Sequence, residues 1–253
     1  MNQKKLKPMS TKRIISVVPS QTELLYDLGL NEEVVGITKF CIHPHEWYKS
    51  KKRIGGTKNL NIDLIHSLQP DLIIANKEEN TKEQIEELQK QYPVYLSDIY
   101  NLDDALNMIK DIGKLVNKVA ESESIVQSIQ IAKSNATFTK TNLKTLYLIW
   151  KDPYMVAGKT TFIDSMLTEA GFNNCVDKSR YPILSMNDIT ELNPEVILLS
   201  SEPYPFKQKH IDEFQNILPS CKLFLVDGEL FSWYGSRLCQ SFEYFSKLNA
   251  QLV

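Results

Sequence analysis

The chain has 253 residues, of which 42% are hydrophobic and 24% are charged, so its composition is that of a globular protein with a substantial core. Lysine and arginine (29) nearly balance aspartate and glutamate (31), and this balance argues against a protein built mainly to bind nucleic acid. Four cysteines without a Cys-x-x-Cys pair exclude a disulfide-stapled scaffold. No apolar run approaches the ~18 residues of a membrane-spanning helix.

The N-terminal stretch is basic and short. Five lysine or arginine residues precede Ile14, but the ~7–15 residue apolar segment of a secretory signal does not follow them. No cysteine stands near the start to carry a lipid anchor. We therefore predict a disordered extension over residues 1–12 and, from the sequence as it stands, a cytoplasmic protein.

Buried strands and helices alternate through the first hundred residues. A β-branched run at 14–18 predicts a strand, and a helix follows over 19–28 with Ser20 and Glu23 spaced as a capping box. Further strands are predicted at 34–38, 72–75 and 94–96, and helices at 63–68 and 81–91. This alternation predicts a mostly parallel sheet covered by helices on both faces.

The middle of the chain has a different pattern. Apolar residues recur at helical spacing over 103–133 without a proline, which predicts one long helix. Strands alternate with helices again beyond it: strands are predicted at 145–150, 196–200 and 223–226, and helices at 161–170, 210–218 and 236–248.

The two halves of the sequence repeat one pattern. Residues 65–74 match residues 189–198 position by position, each segment being a helix end, a turn marked by proline and a buried strand. Glu78 and Glu202 follow at equivalent places. Such a turn is common, but its repetition on either side of a long helix favours two homologous lobes.

Four stretches carry a resemblance to a known family: RIISVVPSQTEL at 13–24, VVGIT at 34–38, IGGT at 54–57 with LQPDLI at 68–73, and Gly158-Lys159 before a helix. In these stretches and their order the chain resembles the helical-backbone class of ABC-transporter substrate-binding proteins. That class includes the cobalamin-binding and iron-siderophore-binding receptors.

The resemblance implies an α/β fold of two lobes with mostly parallel sheets, joined by one long α-helix, with a ligand cleft between them. On this basis we expect an N-terminal lobe over 13–102, a bridging helix over 103–135 and a C-terminal lobe over 136–253. The implied function is binding of a corrinoid or a ferric chelate, as a monomer without an intrinsic cofactor. The resemblance also implies a periplasmic location and a possible ABC permease partner.

Aromatic and charged residues at the predicted strand ends are the candidate ligand contacts. Trp and Tyr provide rigid, flat walls at low entropic cost, which suits a large planar ligand. The candidates are Phe40, Lys58, Trp150, Tyr154, Glu202, Tyr204, Glu229, Phe231, Trp233, Tyr234 and Arg237. The alternative is that about half of the aromatic ones are packing residues.

Cys41, His43 and His45 alternate along one predicted loop, so that their side chains would face the same way in an extended chain. A metal site of three ligands is one interpretation, and hydrogen-bonded histidines at the rim of the cleft are the other. The resemblance implies acidic permease contacts at Asp63 and, in the second lobe, at Asp188 beside Asn187. Helix capping explains these residues equally well.

No catalytic motif is found. The sequence lacks the Gly-x-Ser-x-Gly, His-Glu-x-x-His and Asp-x-Asp-x-Asp-Gly patterns, so we expect a binding protein and not an enzyme. The alternative is a cytoplasmic corrinoid- or metal-handling protein or enzyme that reuses the receptor fold, in which Cys41, His43 and His45 would be the working residues.

Overall fold

The computed structural model describes residues 12–137 and 142–252, and the chain divides into two compact units. The first unit comprises Met1–Ile99, Asp103–Ile131 and Trp233–Cys239, and the second comprises Tyr100–Leu102, Ala132–Ser232 and Gln240–Val253. This division differs from the predicted lobes because residues 233–239 group with the first unit. The predicted disordered extension lies outside the described residues except for Lys12, whose amide donates to Asp71.

A five-stranded parallel sheet forms the centre of the first unit, in the order β3-β2-β1-β6-β7. Its strands are β1 (Ile14–Ser16), β2 (Val34–Ile37), β3 (Lys52–Arg53), β6 (Leu72–Asn76) and β7 (Val94–Ser97), and β4 (Gly55–Gly56) pairs with β5 (Asn59–Leu60) in a separate hairpin. The helices between them are α1 (Pro19–Asp27), α2 (His45–Ser50), α3 (Ile62–Leu68) and α4 (Lys82–Gln89).

Helix α1 begins earlier than the predicted capping box requires. Pro19 occupies the first turn, where its missing N–H costs nothing, and this places Ser20 inside the helix without a side-chain cap. The predicted capping box of Ser20 and Glu23 is therefore wrong. The helix ends as expected, since Gly29 beyond it adopts a φ of 77°.

The predicted long helix is also wrong in one respect, because the structure has two helices, α5 (Leu102–Leu115) and α6 (Val119–Asn135). Asn117 adopts a left-handed φ of 56°, and the Lys118 amide bonds back to the Gly113 carbonyl at 2.7 Å, which together end α5. The apolar spacing continues across this turn, so periodicity alone does not reveal it. None of the helices among the described residues has the length and apolar character needed to cross a bilayer.

The second unit contains a sheet in the order β11-β9-β8-β12-β13, in which β8, β12 and β13 are parallel and β9 is antiparallel to its neighbours. Its strands are β8 (Lys144–Trp150), β9 (Tyr154–Val156), β10 (Asn173–Asn174, beside β8), β11 (Ile183–Leu184), β12 (Val196–Ser200) and β13 (Lys222–Val226). Its helices are α7 (Phe162–Glu169), α8 (Met186–Leu192), α9 (Gln208–Ile217), α10 (Glu229–Ser232) and α11 (Leu238–Ala250).

The predicted internal repeat is confirmed in three dimensions. Helices α3 and α8 each have seven residues, and each is followed by a left-handed residue, a proline and a fully buried five-residue strand. The left-handed residues are Gln69 and Asn193, with φ values of 44° and 46°. Beyond them, Asp71 and Glu195 accept backbone amides from the start of the neighbouring central strand. The two mostly parallel α/β sheets are therefore built on one local design.

Gly113 controls how closely α6 approaches the end of α5. A Cβ at this position would lie 2.1 Å from the Oγ and 2.4 Å from the Cβ of Ser122. We expect Gly113→Ala to lower the free energy of unfolding by about 1–3 kcal/mol through overpacking, although alanine is the better helix former by about 1 kcal/mol. Urea denaturation measures this change.

The control is a double substitution. Ser122→Gly removes the two closest atoms and leaves the Lys118 carbonyl oxygen at 2.9 Å, so Gly113→Ala should cost less in that background, whereas Ser122→Ala keeps the Cβ at 2.4 Å and should give little relief. A Gly113→Ala protein as stable as the parent would contradict the steric explanation.

Candidate functional site

Parallel strands place their following loops at one edge of a sheet, and ligands of open α/β proteins bind at that edge. In the first unit the loop after β2 carries Phe40, whose side chain is 51% exposed. The Lys39 Nζ lies 5.1 Å from the centroid of this ring. A Cβ added to Gly56 would lie 3.2 Å from the Cε2 atom of Phe40, so glycine lets the ring approach β4 closely. We call Lys39, Phe40 and Gly56 the first-unit surface.

Lys58 lies in the turn between β4 and β5 and is exposed, with its ammonium group donating to the Glu78 carbonyl. The Asn76 side chain at the end of β6 accepts the amides of Glu78 and Glu79. In the second unit Ser200 accepts the Glu202 amide in the equivalent place. The repeat therefore continues to the edge of each sheet.

The predicted metal loop is not assembled. Cys41 is fully buried, and its Sγ lies 3.1 Å from both the Thr22 and Thr38 hydroxyls. Burial raises the pKa of this thiol, which opposes the thiolate that a metal requires. His43 instead contacts Trp233 edge to face at 5.6 Å, and His45 stacks on Tyr48.

Among residues 12–137 and 142–252, no group of three His, Cys, Asp or Glu side chains could hold a metal ion. The physical reason lies in the backbone. The loop after β2 turns back on itself through the Cys41 and Ile42 amides, which bond to Thr38 and Phe40, so alternate side chains do not face one way.

Arg237 binds a partner within the first unit. Its guanidinium makes two hydrogen bonds of 2.8 and 2.6 Å to the Glu23 carboxylate on α1, and it lies 4.8 Å from the Trp233 ring. Both charged side chains are largely buried, with 12% and 16% of their surface exposed. The predicted ligand contact is thus part of the anchor that holds residues 233–239 to α1.

The neighbouring aromatics are mostly core residues. Phe231 is fully buried and packs against Tyr147 and Phe245, so its predicted ligand contact is wrong. Trp233 and Tyr234 are 7% and 6% exposed, which makes them packing residues for most of their surface. The cause is α10, a short helix that the sequence does not reveal and that turns Phe231 inward.

The second unit presents the larger aromatic cluster. Trp150 ends β8 and is 41% exposed, and its ring meets the edge of Tyr204 at 5.6 Å. Tyr204 also contacts Phe206 at 4.8 Å and His210 at 5.5 Å. We call Trp150, Tyr204, Phe206 and His210 the second-unit surface. Tyr154, by contrast, packs on Phe214 in the core, and burial raises its pKa.

Several charged groups around this cluster have hydrogen-bond partners. Lys151 bonds to Glu213, and this bond raises the pKa of the lysine and lowers that of the glutamate. Glu202 accepts a hydrogen bond of 2.9 Å from the Ser232 hydroxyl. Glu229 is half-buried at the start of α10, where its amide donates to Asp227.

The two predicted permease contacts differ in their surroundings. Asp63 is exposed in the first turn of α3, which Asn61 caps. Asp188 accepts hydrogen bonds from both the amide and the hydroxyl of Ser185, and these bonds lower its pKa. Asp188 therefore belongs to a capping box, as the capping interpretation expects.

Two surface cavities lie apart from these residues. One of about 520 Å³ is lined by α5 and α6, and one of about 420 Å³ lies where β12 and β13 begin, at the opposite edge from the aromatic cluster. Neither contains a predicted ligand contact.

Sequence reasoning missed Lys39, Gly56, Glu23 and His210 as members of the site or its support. Gly56 has a detectable signal, since a glycine in a loop often allows close approach of another group. His210 does not, because its spacing from Tyr204 of six residues matches no known motif.

Comparison with known proteins gives consistent matches. Residues 14–217 match the model of a family described as periplasmic binding protein. A substrate-binding lipoprotein of an ABC transporter from Bacillus subtilis, YvrC, is 26% identical over 249 residues, covering 92% of this chain and 78% of the relative. A vitamin B12-binding protein from Vibrio campbellii is 24% identical over 195 residues, covering 75% and 70% respectively.

The fold matches solved structures over nearly the whole chain. A possible iron-binding periplasmic solute-binding protein from Staphylococcus epidermidis superimposes with a TM-score of 0.78 at 23% identity, covering 96% of this chain and 99% of that one. At this identity the likeness establishes the fold, and it agrees with the predicted two-lobed α/β class.

The pair of Glu23 and Arg237 has a measurable consequence. Removing one partner leaves a largely buried charge without its counter-ion, so we expect Arg237→Met to destabilise the protein by about 2–4 kcal/mol. Glu23→Gln in the same background should recover much of this loss. Thermal and urea unfolding of the two single variants and the double variant measure the coupling. Additive effects would contradict the pairing.

Proposed function

We propose that this chain, which belongs to the periplasmic binding protein family, is the ligand-binding component of an ABC importer. The family consists of solute-binding proteins without enzymatic activity, which confirms the expectation that the chain is not an enzyme. The alternative of an enzyme working through Cys41, His43 and His45 has no support, since these side chains do not converge. We further propose that the protein acts outside the cytoplasmic membrane, where an importer meets its solute.

The proposed ligand is a large metal-containing macrocycle or chelate, with a corrinoid as the first candidate and a ferric chelate as the second. The exposed aromatic rings are the observation that carries this proposal. Phe40, after β2, is 51% exposed, and Trp150, the last residue of β8, is 41% exposed, although the strand interiors are buried. Exposed aromatics on rigid elements are typical of sites that bind a flat, apolar surface.

Charge at three of the cations near the strand ends supports the order of the two candidates, whereas Lys39 and Lys58 of the first unit are in no ion pair among the described residues and do not distinguish the candidates. Lys77, Lys151 and Arg237 are each in an ion pair with a carboxylate of their own unit. A ferric chelate of high negative charge would have to compete with those pairs. A corrinoid presents broad apolar faces and neutral amides, which aromatic rings bind without such competition.

Asp63 is the proposed permease contact on the first unit. Asp63 is exposed, and the Asn61 side chain caps its helix by accepting the Leu64 amide. The Asp63 carboxylate is therefore not needed as the helix cap. Asp188 is a weaker candidate because Ser185 holds its carboxylate. In the second unit we therefore propose that the permease contacts the exposed first turn of α8, which includes Asp188.

Trp150 provides a direct test. The other tryptophans, Trp47 and Trp233, are 1% and 7% exposed, so a bound chromophore should quench Trp150 most strongly. We expect saturable quenching by cobalamin or cobinamide, and weaker or no binding of hemin and ferric hydroxamates. Calorimetry should show about a 10-fold weaker affinity for Trp150→Ala, since a buried aromatic contact contributes about 1–2 kcal/mol.

Ile183→Ala is the matched control, because Ile183 is an apolar side chain of the same unit that is 57% exposed and outside the aromatic cluster. Its affinity should equal that of the parent. Absence of binding by every one of these compounds would contradict the proposed ligand class, and equal affinity of Trp150→Ala would contradict the proposed surface.

A further inference from the structure

A buried histidine lies beside Tyr204, the half-buried tyrosine of the second-unit surface. His210 is 2% exposed, and its Nε2 lies 3.3 Å from the Tyr204 hydroxyl. Its other ring nitrogen, Nδ1, accepts the Lys207 amide at 2.8 Å. Phe206 packs against the same imidazole edge to face at 5.3 Å. The imidazole is therefore fixed by contacts on its ring face and at both nitrogens.

The two hydrogen bonds determine where the protons lie. A nitrogen that accepts a backbone amide carries no proton, so in the neutral ring the proton is on Nε2. Nε2 then donates to the Tyr204 oxygen. The phenolic oxygen accepts this hydrogen bond and keeps its own proton, which must therefore point to a different acceptor.

We infer that His210 is a positioning residue that holds Tyr204 as a hydrogen-bond donor to the ligand. The inference rests on the proposed function and narrows it: the edge of the ligand that meets Tyr204 carries an oxygen acceptor, as the side-chain amides of a corrinoid or the carboxylates of a porphyrin do. Trp150 also contacts the Tyr204 ring, at 5.6 Å between the ring centroids, so the tyrosine side chain is packed against Trp150 as well as bonded to His210.

Protein without ligand tests the first step. Long-range proton–nitrogen correlation spectra of the full chain should show His210 neutral at about pH 7, with Nε2 protonated and Nδ1 bare. Observation of the Nδ1-protonated tautomer or of a charged ring would overturn the inference. This measurement needs no ligand, so it tests the histidine tautomer even if the protein does not bind cobalamin. Failure of the proposed function would be seen in the binding measurements instead.

Two substitutions test the second step. Tyr204→Phe removes the donor, and His210→Asn keeps an acceptor for the Lys207 amide, because its Oδ1 stands as many bonds from the backbone as Nδ1 does. The asparagine is too short to reach Tyr204. Each single variant should bind cobalamin about 3- to 10-fold more weakly than the parent, and the double variant should be no weaker than either single variant.

The controls separate positioning from stability. His210→Asn loses the ring contacts to Tyr204 and Phe206 and should melt below the parent, and His210→Phe keeps an aromatic ring but loses the bond to Lys207, so binding is compared at a temperature at which all of these proteins are folded. If the parent binds cobalamin and both Tyr204→Phe and His210→Asn bind it equally well, the inference is overturned. Additive losses in the double variant would likewise overturn it, because they would show that the two side chains act independently.

Acid pH provides a further prediction. Burial, together with Lys151 and Lys209, lowers the pKa of His210 from its ordinary value of 6.5, and Glu213 opposes this only in part. In the unfolded chain His210 is protonated near pH 6.5, whereas in the folded chain it is protonated only at lower pH. The free energy of unfolding therefore falls as the pH decreases below about 6.5. Urea denaturation between about pH 7 and 5 should show this loss in the parent and a smaller loss in His210→Asn.

Discussion

The burial of the central strands on both faces is the constraint on which the rest of this protein depends. Ile14 and Ile15 of β1 and Leu146 to Leu148 of β8 have no exposed surface. When both faces of a strand are covered, all of its side chains pack in the core and none can contact a ligand. Side chains that can meet a ligand therefore lie at the strand ends and in the segments that follow them, as Phe40 and Trp150 do.

The local repeat explains how each sheet reaches that edge in the same way. A capped helix, a left-handed residue, a proline and a five-residue strand bring a polar side chain, Asn76 or Ser200, to the end of the strand in each unit. Each of these side chains then fixes the amide two residues later. These hydrogen bonds join a side chain at the strand end to a backbone amide of the loop. The two loops can therefore differ in sequence and still begin in the same way at the strand end.

Local rules account for what the sequence predicted well. The buried strand at 196–200 was predicted to the residue, since it depends on a few neighbouring residues. The errors arose where distant contacts decide. Glu23 looks like a capping residue until Arg237, 214 positions away, is seen to hold it. Phe231 looks like a loop aromatic until the short helix α10 turns it into the core.

The same distinction applies to the site. Residue type predicted that aromatics would line it, but exposure divides them: Phe40 and Trp150 are open, whereas Phe231 and Trp233 are buried. No sequence pattern carries this information, because exposure depends on which neighbouring elements cover each loop. The metal loop failed for a related reason, since a backbone turn directs the Cys41 thiol towards two threonine hydroxyls and away from both histidines.

Pairing of charge within each unit shapes what the surfaces can select. An unpaired cation beside an aromatic wall would favour any anion of suitable size, and discrimination would then fall with salt. In the second unit Lys151 is bound by Glu213, and the neutral pair of Tyr204 and His210 is a polar feature in contact with Trp150. A fixed hydroxyl donor recognises an acceptor by position, and a ligand without an oxygen there would leave that donor unmatched. Selection by an oriented neutral group on an aromatic surface is consistent with capture of a large, nearly uncharged macrocycle.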